Sequence, residues 1–156
     1  MNTATSNKLL DTSQFTKHPE GYKTSGNYTP KRVPIPLDIQ SYVTGSLPFD
    51  KRRQGEKPPK LDIYTQLVEL GYQFTQSNLR GGRQYEFTEE ELQVPDIRQD
   101  VIWLPEVELN VKISEILAVY NITREAAGLK RLRGVVPIIC ALLRRGVTVA
   151  PKIEMP

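Results

Sequence analysis

The chain has 156 residues, 38% hydrophobic and 25% charged, with a formal net charge of +3, one cysteine and one histidine. That length and apolar content support one modest core, and no uninterrupted apolar run reaches the roughly 18–20 residues that a membrane-spanning helix needs. Cys140 has no partner for an internal disulfide, lies in the apolar stretch 135–143 as expected core filling, and fits a reducing compartment, while residues 1–10 lack a secretory signal pattern, so cytoplasmic synthesis without secretion is expected.

Residues 1–60 carry seven of the twelve prolines, many Thr, Ser and Asn, and no helical stripe. This composition predicts an extended, Pro-rich basic arm that does not fold alone. Fixing about 60 such residues costs on the order of 60–120 kcal/mol of backbone entropy, so neighbours are expected to shape the arm. Within it Val33, Ile35, Leu37 and Ile39 alternate with Pro34, Pro36 and Asp38, which sets four apolar side chains on one face of an extended segment. Pro34 and Pro36 lack amide donors, so pairing would use one edge only, suiting the segment to a groove or an exposed strand. Val33, Ile35, Leu37 and Ile39 are thus the predicted partner anchor, and Lys51, Arg52 and Arg53 a predicted salt-sensitive contact. Lys57-Pro58-Pro59-Lys60 marks the boundary to a compact α+β domain over 61–150, followed by an extended tail at 151–156.

Leu61, Tyr64, Leu67 and Val68 share one stripe and predict a helix of about three turns, with Gly71 as its end. Tyr72, Phe74, Tyr85 and Phe87 alternate with polar residues around Asn78-Leu79-Arg80-Gly81-Gly82, the pattern of a hairpin whose aromatic face packs on that helix. Val101-Ile102-Trp103-Leu104 is a short apolar run ended by Pro105. Residues 105–121 fit two periods: Val107, Leu109, Val111 and Ile113 alternate, while Leu109, Ile113, Ile116, Leu117 and Tyr120 form a helical stripe. Pro105, Glu106 and Glu108 form a helix-start signal and favour helix. Thr123 is a capable N-cap for a second helix to about Arg133. Pro137 opens a third, with Ile138, Ile139, Leu142 and Leu143 inward and Arg144, Arg145 and Gly146 at its end. Residues 147–149 read as a terminal strand. The expected fold class is α+β: an extended N-terminal arm, a helix plus β-hairpin, and a three-helix C-terminal bundle.

Catalytic chemistry finds little support. His18 is the only histidine and sits in the arm, which argues against a histidine triad, a Cys-His dyad or a histidine metal site. Arg80-Gly81-Gly82-Arg83 lacks the spacing and Lys-Ser/Thr ending of a phosphate loop. A magnesium nuclease would need an acidic-X-Lys pair after Pro95-Asp96, but the chain reads Asn110-Val111-Lys112 there. Hence no catalytic residue, metal, cofactor or small-molecule substrate is expected.

Charge distribution carries more than the net value. Lys and Arg against Asp and Glu number 10 to 5 over residues 1–60, 3 to 10 over 61–110 and 8 to 3 over 111–156. Such a basic, acidic, basic order can attach copies to one another or set one end on a polyanion. Lys130, Arg131 and Arg133, with Arg144 and Arg145, surround two expected helices joined through Gly134, the outline of a helix-turn-helix and hence of a nucleic-acid-binding regulator. The favoured expectation is a non-enzymatic structural or assembly subunit of a multi-copy complex, such as a phage virion neck, tail or baseplate. Its partners would be other protein subunits, like or unlike, reached through the arm and, as a second interface, through the exposed parts of the C-terminal helices, and residues 61–150 would fold without the arm.

Overall fold

The computed structural model describes residues 8–18, 22, 26–79 and 84–155. Two helices cross at its centre, α2 (Lys60–Ser77) and α5 (Val136–Val149). Ile63, Tyr64, Leu67 and Val68 of α2 and Ile138, Ile139, Leu142 and Leu143 of α5 belong to one buried cluster. The axes approach closely because each helix presents a glycine to the other's backbone. A Cβ on Gly71 would stand 1.9 Å from the Leu142 carbonyl oxygen, and one on Gly146 would stand 1.9 Å from that of Leu67. Neither glycine ends its helix; both permit the crossing.

Around this pair the chain lays down two small antiparallel sheets. In one, β2 (Tyr28–Val33) pairs with β3 (Asp100–Pro105), in register from Tyr28 opposite Pro105 to Val33 opposite Asp100. Alternation in β3 sends Ile102 and Leu104 into the core, and β3 packs on α2. In the other, β1 (Lys8–Leu10) pairs with β4 (Lys152–Glu154), so the two ends of the described chain meet. Between β2 and α2 runs α1 (Leu37–Ser46), which turns Ile39, Val43 and Ser46 inward at helical spacing. The Ser46 hydroxyl accepts a hydrogen bond from the Leu10 amide at 3.0 Å and so holds β1 against α1.

The remaining elements fall between α2 and α5 in the chain. A single helical turn, α3 (Glu89–Leu92), is capped reciprocally by Thr88 and Glu91. After β3 comes a wide turn over Glu106–Asn110, in which the Val111 amide donates five residues back to Glu106, and then α4 (Val111–Ala126). Glu106 accepts from the Thr29 hydroxyl and, at 2.8 Å, from the Asn110 amide, which hold its carboxyl below the usual range. Helix α4 ends in a left-handed Gly128 (φ +77°), where the Gly128 and Leu129 amides donate to the Glu125 and Arg124 carbonyls.

The mixed α+β class holds, but the architecture differs from the expected one in three places. Over its described residues the N-terminal third is no arm: Leu10, Phe15, Val33, Ile35, Ile39 and Val43 sit in the same buried cluster as α2 and α5. The alternating stretch is extended only through Pro36, after which Pro36 and Asp38 start α1. The first strand of the expected aromatic hairpin is replaced by helix, because α2 runs on through Tyr72 and Phe74 to Ser77; Arg80, Gly81 and Gly82 of the expected turn lie outside the described residues. In place of three C-terminal helices there are two, since α4 continues through Thr123 and residues 127–135 form a loop, while residues 147–149 complete α5. Helix is correct for residues 106–121, and Cys140 is buried as core filling. Among the described residues no helix is long and apolar enough to cross a membrane.

Candidate docking surface

The predicted anchor residues are mostly consumed by the fold. Val33 and Ile35 are fully buried and Ile39 nearly so, and none can meet a partner while the core is intact. Leu37 alone faces solvent, 61% exposed at the first position of α1. Of the three basic residues, Lys51 and Arg53 are exposed. Arg52 turns inward and staples the chain. Its guanidinium donates to the Phe15 carbonyl at 2.9 Å and the Thr12 carbonyl at 2.7 Å, and forms a 2.7 Å ion pair with the buried Asp50. Asp50 also accepts from the Thr12 hydroxyl, and these donors, with Arg52 first, hold its carboxyl well below the usual carboxylate range.

The residues of the nucleic-acid outline are separated. Arg144 and Arg145 are drawn onto α3: Arg144 donates to the Glu91 and Gln93 carbonyls, while Arg145 pairs with Glu91 at 2.7 Å and lies over the Phe87 ring. Lys130, Arg131 and Arg133 remain exposed, on the loop rather than on a helix. That loop is held in place from α4. Asn121 exchanges two hydrogen bonds with the Leu132 backbone, and Arg124, nearly buried and paired with Glu89, donates to the Lys130 carbonyl at 2.6 Å. Without a helix over 123–133, the helix-turn-helix frame is absent.

What stands out lies on the C-terminal helices, where a second interface is expected from the sequence. Helix α4 is apolar on both sides. Leu109, Ile113, Ile116 and Tyr120 face the core, as the helical stripe requires. On the opposite side Val107 and Ile122 are each 70% exposed, with Val119 at 44%, Val111 at 39% and Leu129 at 48% in the loop beyond. Ala118 and Ala126 are exposed on this side too. An outward helix face is ordinarily polar; here the side chains interrupting it are chiefly Lys112, Glu115 and Glu125. Single exposed apolar residues are common, but here they recur on one helix face on either side of Ser114 and Glu115, and such recurrence marks an interaction surface. The signal was in the sequence: Val107, Val111, Ala118, Val119 and Ile122 form a second stripe when 107–122 is laid out at 3.6 residues per turn.

The clefts offer no comparable arrangement. One of about 570 Å³, between α1 and the end of α5, is lined by Lys8, Asp38, Tyr42 and Lys152, and Lys152 is already donating to the Thr148 and Ala150 carbonyls. Another, of about 490 Å³, contains the engaged Arg144 and Arg145. His18 stacks with Tyr22, Tyr22 hydrogen bonds to Asp62, and burial raises the Tyr22 hydroxyl well above its ordinary range. Among the described residues no group of three His, Cys, Asp or Glu side chains is placed to hold a metal ion.

No family model, curated protein or solved structure matches the chain.

Proposed function

We propose that the protein is a non-enzymatic assembly subunit of a larger multi-copy complex, joined to a neighbouring protein subunit by the outward face of α4. The observation that carries this reading is the second apolar stripe, with Ile122 70% exposed on α4 and Val107 70% exposed in the wide turn that leads into it, while the other side of the helix already fills the core. Burying a side chain of this kind contributes about 1.5–3 kcal/mol. A row of them is a standing cost in a free chain and a source of affinity in an assembled one. Support also comes from how the fold uses its cations: Arg52, Arg124, Arg144 and Arg145 hold its own segments together, while the loop cations beside the stripe stay exposed.

Replacing the natural chain by Ile122→Glu tests the reading. The variant is expected to fold, because the side chain points outward, and to leave the native complex, migrating as a free chain in a native mass measurement of cell extract. Retention of Ile122→Glu in a complex of unchanged mass would refute the α4 face as the point of attachment.

A further inference from the structure

The two ends of the α4 stripe carry opposite charge. Glu106 and Glu108 stand at its start, and the exposed Lys130, Arg131 and Arg133 stand in the loop just past its end. At 1.5 Å per residue, Glu108 lies roughly 27 Å from the last turn of the helix. The helix dipole, positive at Val111 and negative at Ala126, is opposite in sign to these side chains and partly offsets them, while two such dipoles laid antiparallel attract. A surface that complements this face must be apolar along its length, basic where the stripe starts and acidic where it ends. The chain carries such a surface itself: the same face, turned end for end.

We infer that the occupant of this face is a second copy of the chain, with α4 antiparallel to α4 about a two-fold axis near Ala118 and Val119; this rests on the reading of the face as the docking surface. The arrangement sets Glu108 of each copy against the Arg131 loop of the other and brings Lys112 toward Glu125. It also covers both apolar stripes at once. The small Ala118 near the axis lets the helices approach. Arg131 reaches Glu125 of its own chain only at 3.7 Å, with both side chains exposed, so it is open to a second acidic neighbour. Parallel pairing would set acid against acid and base against base. Head-to-tail attachment would satisfy the charges but leave the stripe in water. Closed two-fold pairing meets both demands.

Sedimentation equilibrium of the purified full chain at low salt, from about 1 to 100 μM, reads the pairing directly. The mass is expected to rise from 17.7 kDa toward twice that value and no further. Glu108→Lys or Arg131→Glu alone should raise the dissociation constant about five- to thirtyfold, since each places like charges together twice across the axis. The double swap should restore it. Ile122→Glu should hold the chain at 17.7 kDa with an unchanged far-UV circular dichroism spectrum.

The inference is overturned by a mass of 17.7 kDa throughout, by growth past two chains, by a dimer indifferent to Ile122→Glu, or by a swap that does not restore pairing. Salt-steep binding to duplex DNA by a chain that stays single, abolished by Arg131→Glu, would also overturn it in favour of a polyanion. If the purified chain stays single while Ile122→Glu still leaves the native complex, the neighbour is an unlike subunit: self-pairing fails and the docking face stands. If neither result appears, both fail.

Discussion

Asp50 and Arg52 show how a basic residue that reads as a surface contact can be internal. Asp50 is buried and would be costly there without its donors; Arg52 and Thr12 supply them, and the Arg52 guanidinium in turn pins the Thr12 and Phe15 carbonyls. The pair ties residues 12–15 to the segment before α2, although Asp50 and Arg52 are only two apart in sequence. Asp50→Asn removes the charge while keeping the shape and is expected to lower stability by about 1.5–3 kcal/mol at neutral pH, measured as a shift in urea midpoint. The sign of the pH dependence follows from the depressed carboxyl. The stabilisation is fully present above the unfolded-state value of about 4 and is lost as pH falls through the lower folded-state value. The gap between the natural chain and Asp50→Asn should therefore close as pH drops below about 4; a gap unchanged at acid pH would contradict this account of Asp50. Nothing in the sequence around Lys51-Arg52-Arg53 marks the middle residue as the one that turns inward, because apart from Asp50 its acceptors are carbonyls of a distant segment.

At the scale of elements, what was legible depended on whether a buried face is made of large apolar residues. The stripes Ile138, Ile139, Leu142, Leu143 and Ile113, Ile116, Tyr120 announce α5 and the inner side of α4. The continuation of α2 beyond Leu70 was hidden because its buried positions there are Gly71 and Thr75, which carry no hydrophobic signal. Glycine at a close crossing looks the same in sequence as glycine at a helix end. Helix α1 was hidden for another reason: Val33 and Ile35 belong to an extended run and Ile39 and Val43 to a helix, and the join at Pro36 and Leu37 mimics one long alternation. The loop after α4 was misread as helix because its restraints, Asn121 and Arg124, lie on the neighbouring element. The crossing of α2 and α5 makes a direct prediction. Gly71→Ala and Gly146→Ala each drive a methyl into a backbone carbonyl that no rotamer change can move, so each should cost about 1–3 kcal/mol or more in thermal or urea unfolding. Gly45→Ala, which meets open space on α1, should leave stability unchanged or slightly raised. Equal effects at all three positions would contradict the tight crossing.

For the whole molecule, the decisive change is that described residues of the N-terminal third contribute to the core. Composition made it an arm because its apolar residues are few and its prolines many. Those few are nonetheless placed one by one in one cluster with residues of β3, α2 and α5; one sheet joins the two ends of the described chain, and the other pairs residues 28–33 with residues 100–105. Such pairing is non-local, and local composition carries no trace of it. Removing residues 1–55 would strip β1, β2 and α1 from the core rather than free a docking domain. The attachment proposed above therefore lies on the outward face of α4 and not at Val33, Ile35 and Ile39, which are buried; Leu37 is the one exposed member of the expected anchor. A single introduced thiol distinguishes the two surfaces, because the natural Cys140 is buried and its thiol is pushed up to about 11, which leaves it unreactive. The measurement is the alkylation rate of Ile122→Cys and of Leu37→Cys, each compared between the native complex and the diluted free chain. The account predicts that Ile122→Cys is slowed by an order of magnitude or so in the complex while Leu37→Cys reacts alike in both; protection of Leu37→Cys with Ile122→Cys fully reactive would contradict it.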